Sequence, residues 1–179
     1  GGEDLEKWVE ESRFMKTSFP LTATQHMAPH LQQLVQGTIE LRIRHSDEGP
    51  LSGENVVKME VKVLAARNLA KADTFGLSDP FCIVKFNERE VGRTEVVDND
   101  LNPEWNNCKF HAYFEKDDDF DECSLEVLCY DMDLMGRGDF LGAVTLRGDE
   151  LREFFGMRVK RATDTSRPTT SSGAAAAAV

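Results

Sequence analysis

Between residues 38 and 146 the chain alternates apolar and polar side chains in short bursts. Thr38-Ile-Glu-Leu-Arg-Ile-Arg44 sets Ile39, Leu41 and Ile43 against polar partners, the period of two that a strand buried on one face requires. The same alternation, or a short apolar run, returns at 57–64, 81–86, 92–97, 108–114, 124–130 and 140–146, with turn-forming residues between. Met157-Arg-Val-Lys-Arg-Ala162 is a weaker eighth segment. Seven or eight short strands punctuated by turns predict an all-β fold, an eight-stranded antiparallel β-sandwich.

Ahead of residue 37 the period changes. Leu5, Trp8, Val9 and Met15 recur near helical spacing in 3–16, with acids early and lysine late, which suits a helix dipole. Pro29 fits the first turn of a second helical piece over 29–36, Leu31, Leu34 and Val35 share one face, and Gly37 fits its stop. Residues 1–36 are therefore expected to be a short helical extension or linker, ahead of a sandwich over 37–162. Residues 149–155, DELREFF, predict a short helix or turn, and 163–179 a disordered or low-complexity tail.

Asp131, Asp133 and Asp139 crowd one loop with Gly136 and Gly138, and Asp73 and Asp79 share a second glycine-containing loop. Clustered carboxylates repel one another unless a cation neutralises them, and oxygen donors suit a hard cation, calcium above all. For either loop alone, a solvated acidic loop is an equal reading. Strand alternation favours a joint site. If successive strands run antiparallel, the connections at 66–80, 98–107 and 131–139 follow alternate strands and fall at one end of the sandwich. The acidic run 115–122, EKDDDFDE, then falls at the far end, where it reads as a solvated loop.

Composition narrows the partners. Lys and Arg total 21 against 32 Asp and Glu, for a net charge of −11, which argues against nucleic acid. The same acidity argues against constitutive attachment to an anionic membrane, but not against attachment that depends on a bound cation. No run approaches the roughly 18 apolar residues of a spanning helix, and no signal peptide is visible at the N-terminus. Cys82, Cys108, Cys123 and Cys129 lack zinc-type spacing and read as free thiols in a reducing compartment, which predicts a cytoplasmic location. The histidines are scattered, and neither a GxSxG motif nor a P-loop occurs. The segment is not expected to be an enzyme.

GLSDPF (76–81) after Asp73, LNPEWN (101–106), and YDMD followed by GRGDFLG (130–133, 136–142) resemble the C2 domain in sequence, spacing and order. The resemblance covers roughly 37–162. It implies that Asp73, Asp79, Asp131, Asp133 and Asp139 ligate two or three calcium ions, and that the early strand 38–44 reflects the synaptotagmin-like, type I strand order. It also implies a calcium-dependent phospholipid-binding module that targets a larger protein to anionic membranes, peripheral on them when calcium-loaded. Phe75, Leu134, Met135 and Arg137 would then make the membrane contact, since apolar side chains at loop tips suit an interface and arginine suits a phosphate. Phe75 folded back as packing and Arg137 as a plain surface residue are the alternatives there. The basic face that many members carry on the third and fourth strands is diluted, because Lys85, Arg89 and Arg93 sit among Glu88, Glu90 and Glu95.

Other readings are weaker. Asp131-x-Asp133 with Gly136 mimics the opening of an EF-hand, but Met135 and Gly142 stand where that loop needs ligands. Arg137-Gly138-Asp139 spells an adhesion tripeptide, yet Asp139 is better used on a metal. A calcium-independent protein-interaction C2 domain, or the regulatory domain of a lipid-modifying or signalling enzyme, remains as the alternative. Trp105 reads as core packing.

Overall fold

The computed structural model describes residues 15–24, 27, 29–46, 56–72, 76–115, 121–132 and 138–154. The alternating segments form two four-stranded antiparallel sheets. The first has the order β1 (Met15–Pro20), β2 (Thr38–Ser46), β3 (Val56–Arg67) and β6 (Lys109–Glu115). The second has the order β5 (Arg89–Arg93), β4 (Pro80–Phe86), β7 (Ser124–Met132) and β8 (Gly138–Arg147). Their inner faces meet in one core that includes Ile39, Leu41, Ile43, Met59, Val61, Val63, Val84, Leu125 and Val127. Trp105 is buried in this core and donates its indole N–H to Glu95 O at 2.9 Å. Cys82 and Cys129 stand directly opposite each other on β4 and β7, both fully buried and reduced.

The predicted sandwich is present, but its eighth strand comes from the other end of the chain. The candidate at 157–162 lies outside the described residues, as do residues 3–14 of the helix predicted over 3–16. Met15, expected at the end of that helix, instead opens β1, which pairs with β2 from Met15↔Ile43 to Pro20↔Thr38. Past Pro20 the chain continues into the core. Leu21 is 7% exposed, and Thr22 exchanges backbone hydrogen bonds of 2.8 and 2.9 Å with Ala143, which ties the N-terminal segment to β8. Gly142 permits that crossing: its φ is +147°, and a Cβ there would lie 2.8 Å from Leu21 Cβ and 2.9 Å from Val35 Cγ1. The second predicted helix shrinks to the single turn α1 (Pro29–Gln32).

The strand expected at 92–97 begins earlier, at Arg89. Asn87 and Glu88 both take positive φ, 47° and 64°, and pair Phe86 with Arg89 across a two-residue hairpin, the turn whose twist matches that of the strands. Residues 94–97 still lean on β4 through Thr94 N to Cys82 O and Val97 N to Pro80 O, at 2.9 and 3.0 Å. The short helix expected near 149–155 is α2 (Asp149–Phe154). Its Arg152 is 8% exposed and donates to Asp121 at 2.5 Å and Asp149 at 3.0 Å. Asp121, from the acidic run read as a solvated loop, is thus an ion-pair partner; residues 116–120 lie outside the described part.

Candidate functional site at one pole of the sandwich

Where β3 runs out, Asn68 takes a positive φ of 54° and the chain turns toward β4. Ser78, fully buried, organises this approach: its hydroxyl donates to Ala70 O at 3.1 Å and accepts from Ala72 N at 3.0 Å. Asp79 follows. Its backbone N–H donates to Asp131 Oδ1 at 2.6 Å, and its C=O accepts from Met132 N at 2.9 Å. The base of the first acidic loop is therefore fastened to the base of the second, across 52 residues of sequence.

Asp139 reaches the same place through a β-bulge. The register between β7 and β8 shifts between Cys129 and Tyr130, from Cys129↔Gly142 to Tyr130↔Phe140 and Asp131↔Asp139. Without that shift Asp131 would oppose Phe140; with it the two carboxylates stand opposite each other, and directly opposed residues project to one side of a sheet. Asp131 is 1% exposed while Asp139 is open to solvent. Gly138 beside them has no room for a side chain, since a Cβ would lie 2.8 Å from Asp131 O. On the opposite side of the sheet Tyr130 stacks on Phe81 at 5.8 Å and meets Phe140 edge-on at 5.4 Å, a packed backing for the ends of both strands.

The third connection joins them through Asn99. Its N–H donates to Asp79 Oδ1 at 2.6 Å, and its side-chain oxygen accepts from Leu77 N at 2.7 Å. Sequence reading missed this residue. The signal was there in Asp98-Asn99-Asp100, because asparagine tolerates the left-handed backbone that Asn99 adopts, φ 56°.

Of the five predicted ligands, Asp79, Asp131 and Asp139 lie at one pole. Asp73 and Asp133, and the predicted contact residues Phe75, Leu134, Met135 and Arg137, lie outside the described residues. Among the described residues no three His, Cys, Asp or Glu side chains close on a common point. The three aspartates described there offer carboxylate oxygen, the donor type that a hard divalent cation takes.

Residues 57–164 match the family model described as "C2 domain". The chain belongs to the C2 domain family. Multiple C2 and transmembrane domain-containing protein 1 of Homo sapiens is 42% identical over 88 residues, which cover 49% of this chain and 8% of that protein. Ras GTPase-activating protein 4 of Homo sapiens is 36% identical over 121 residues, covering 66% of this chain and 13% of that one. Among solved structures, a C2 domain of RIM from Drosophila superposes with a TM-score of 0.52 at 20% identity, over 63% of this chain and 86% of the other, a likeness of fold. This C2 domain thus spans about a tenth of the length of the curated relatives named here. Among its described residues no helix is long and apolar enough to cross a membrane.

Proposed function

We propose that this C2 domain binds calcium at the acidic pole and, in that state, docks on anionic phospholipid. The observation that carries this reading is the fastening of Asp79 to Asp131 at 2.6 Å with Asp139 in register opposite, which sets carboxylates from two distant loops at one end. Asp73 and Asp133 are proposed to complete the set. Five aspartates carry about −5, and two or three divalent ions offset about +4 to +6 of it, with six to eight oxygens around each. The charge at the pole would then pass from repelling an anionic leaflet to tolerating it. Phe75, Leu134 and Met135 are proposed to enter the interface and Arg137 to meet a lipid phosphate. The module binds and does not itself catalyse. Its setting is a larger cytoplasmic protein, which it brings to the membrane surface.

Isothermal titration with calcium, with and without phosphatidylserine vesicles, tests this. The expected result is calcium-dependent heat, strengthened by vesicles and lost in the Asp131→Asn, Asp133→Asn double variant. No heat at millimolar calcium would leave a calcium-independent interaction module. Heat without vesicle attachment would leave a structural ion site.

A further inference from the structure

The outer face of the first sheet carries its own charge pattern, independent of the acidic pole. Strand pairing sets Arg42 opposite Lys62 and Lys62 opposite Lys109, so three cations stand in one row across β2, β3 and β6. The next row is Arg44, Glu60 and His111, and the next is Ser46, Lys58 and Tyr113. Like charges directly opposite one another destabilise a sheet, so this row calls for an explanation. The second sheet does not repeat it: there Lys85 stands opposite Glu90 on one side and Glu126 on the other. Arg93 pairs with Glu90 at 2.9 Å, and Arg147 with Glu126 at 3.4 Å.

Glu60 makes the basic face possible. It is 3% exposed although it lies on the outer face. Its Oε2 lies 3.0 Å from Arg44, 3.2 Å from His111 and 3.7 Å from Lys109, and its Oε1 lies 3.8 Å from Lys62. One sunken carboxylate thus gathers the cationic side chains around it without covering them: the Lys109 side chain is 46% exposed and that of Lys62 32%. Arg42, Arg44, Lys58, Lys62 and Lys109 outnumber this acid within the three rows, while Glu40 and Glu115 flank the face at its ends. The row spans about 10 Å from β2 to β6, and Lys16 of β1, paired with Arg42, continues it by register, on a chain whose net charge is −11.

We propose that this face binds a lipid headgroup bearing more than one phosphate, without calcium. Three cationic side chains carried on strands about 5 Å apart suit neighbouring phosphate groups. A protein partner fits less well, because stable interfaces centre on buried apolar anchors, and among the described residues of this face Tyr113, 48% exposed, is the one large exposed hydrophobic. The face is short for a nucleic-acid backbone, whose binding neutralises many phosphates in succession.

The test is sedimentation with phosphatidylcholine vesicles containing phosphatidylinositol bisphosphate, in calcium chelator. Vesicles of equal charge made with phosphatidylserine, soluble inositol trisphosphate and polyglutamate serve as the other arms. The expected result is binding to the bisphosphate vesicles over phosphatidylserine, competed by inositol trisphosphate. It should weaken about thirtyfold in Lys62→Gln, Lys109→Gln. Asp131→Asn should leave it unchanged, which separates this face from the calcium reading. The proposal is overturned by no sedimentation in chelator, by equal binding to phosphatidylserine, by undiminished binding of a folded Lys62→Gln, Lys109→Gln variant, or by a preference for polyglutamate.

Discussion

Two acidic residues, Asp131 and Glu60, show how much one carboxylate can organise. Asp131 Oδ1 accepts the Asp79 amide at the seam between two loops. Asparagine keeps an acceptor there and removes a like charge from the pole; alanine leaves a donor unsatisfied. In calcium chelator, urea unfolding of Asp131→Ala should show a loss of about 1–3 kcal/mol, and Asp131→Asn a smaller loss or a gain. Equal losses would mean that the hydrogen bond is immaterial. Glu60 is a contest between opposing terms. Burial by itself raises its pKa, but the hydrogen bonds from Arg44 and His111 and the charges of Arg44 and Lys109 outweigh it, holding the carboxyl below its ordinary 4.5. A folded value below the unfolded one stabilises the protein above about pH 4.5 and loses that contribution as pH falls through the folded value. Glu60→Gln should therefore be less stable than the parent at pH 7, by about 1.5–3 kcal/mol, and the gap should close as pH falls through the folded value. A gap that persists in acid would place Glu60's contribution in packing.

At the scale of elements, what was legible followed the strength of the pattern. Ile39, Leu41 and Ile43 alternate cleanly, and β2 lies where they predict it. Met15-Lys-Thr-Ser-Phe-Pro20 has no such alternation, and Met15 happens to continue the helical spacing of Leu5 and Trp8. Tertiary pairing with β2, invisible in a local window, decides its state. The Asn87-Glu88 turn escaped because the strongest two-residue hairpin signal is Asn-Gly, and the start of β5 was misplaced with it. That Asp79, Asp131 and Asp139 share one pole was readable, because strand alternation sets the end at which their connections lie. The row of Arg42, Lys62 and Lys109 was not, since it exists only through pairing register. The N-terminal strand also makes a measurable claim. Leu21→Ala should lower unfolding stability by about 2–4 kcal/mol, seen as a reduced urea midpoint with an unchanged slope. A change within a few tenths of a kcal/mol would mean that the β1 segment adds little to the core.

For the molecule as a whole, net charge is a poor guide to where charge acts. A balance of −11 led to the expectation that an anionic surface is met only through a cation; the three-strand basic face offers a second route, on a different surface from the pole. Under the proposed function a ligand that binds the folded chain alone must stabilise it by mass action. A calcium concentration one hundred times its dissociation constant should add about 2.7 kcal/mol, read as a raised thermal midpoint in scanning fluorimetry and absent in Asp131→Asn, Asp133→Asn. An unmoved midpoint at saturating calcium would contradict the pole as an ion site.

The two facing sulfurs of Cys82 and Cys129 give this fold a clock of its own. Neither has any exposed surface, and burial, then the neighbouring Cys129 thiol, raises the pKa of Cys82, so an alkylating reagent reaches neither sulfur while the sheet is shut. Labelling at these positions would count the moments when β4 and β7 part, and a sealed sample would slowly record how often the molecule breathes.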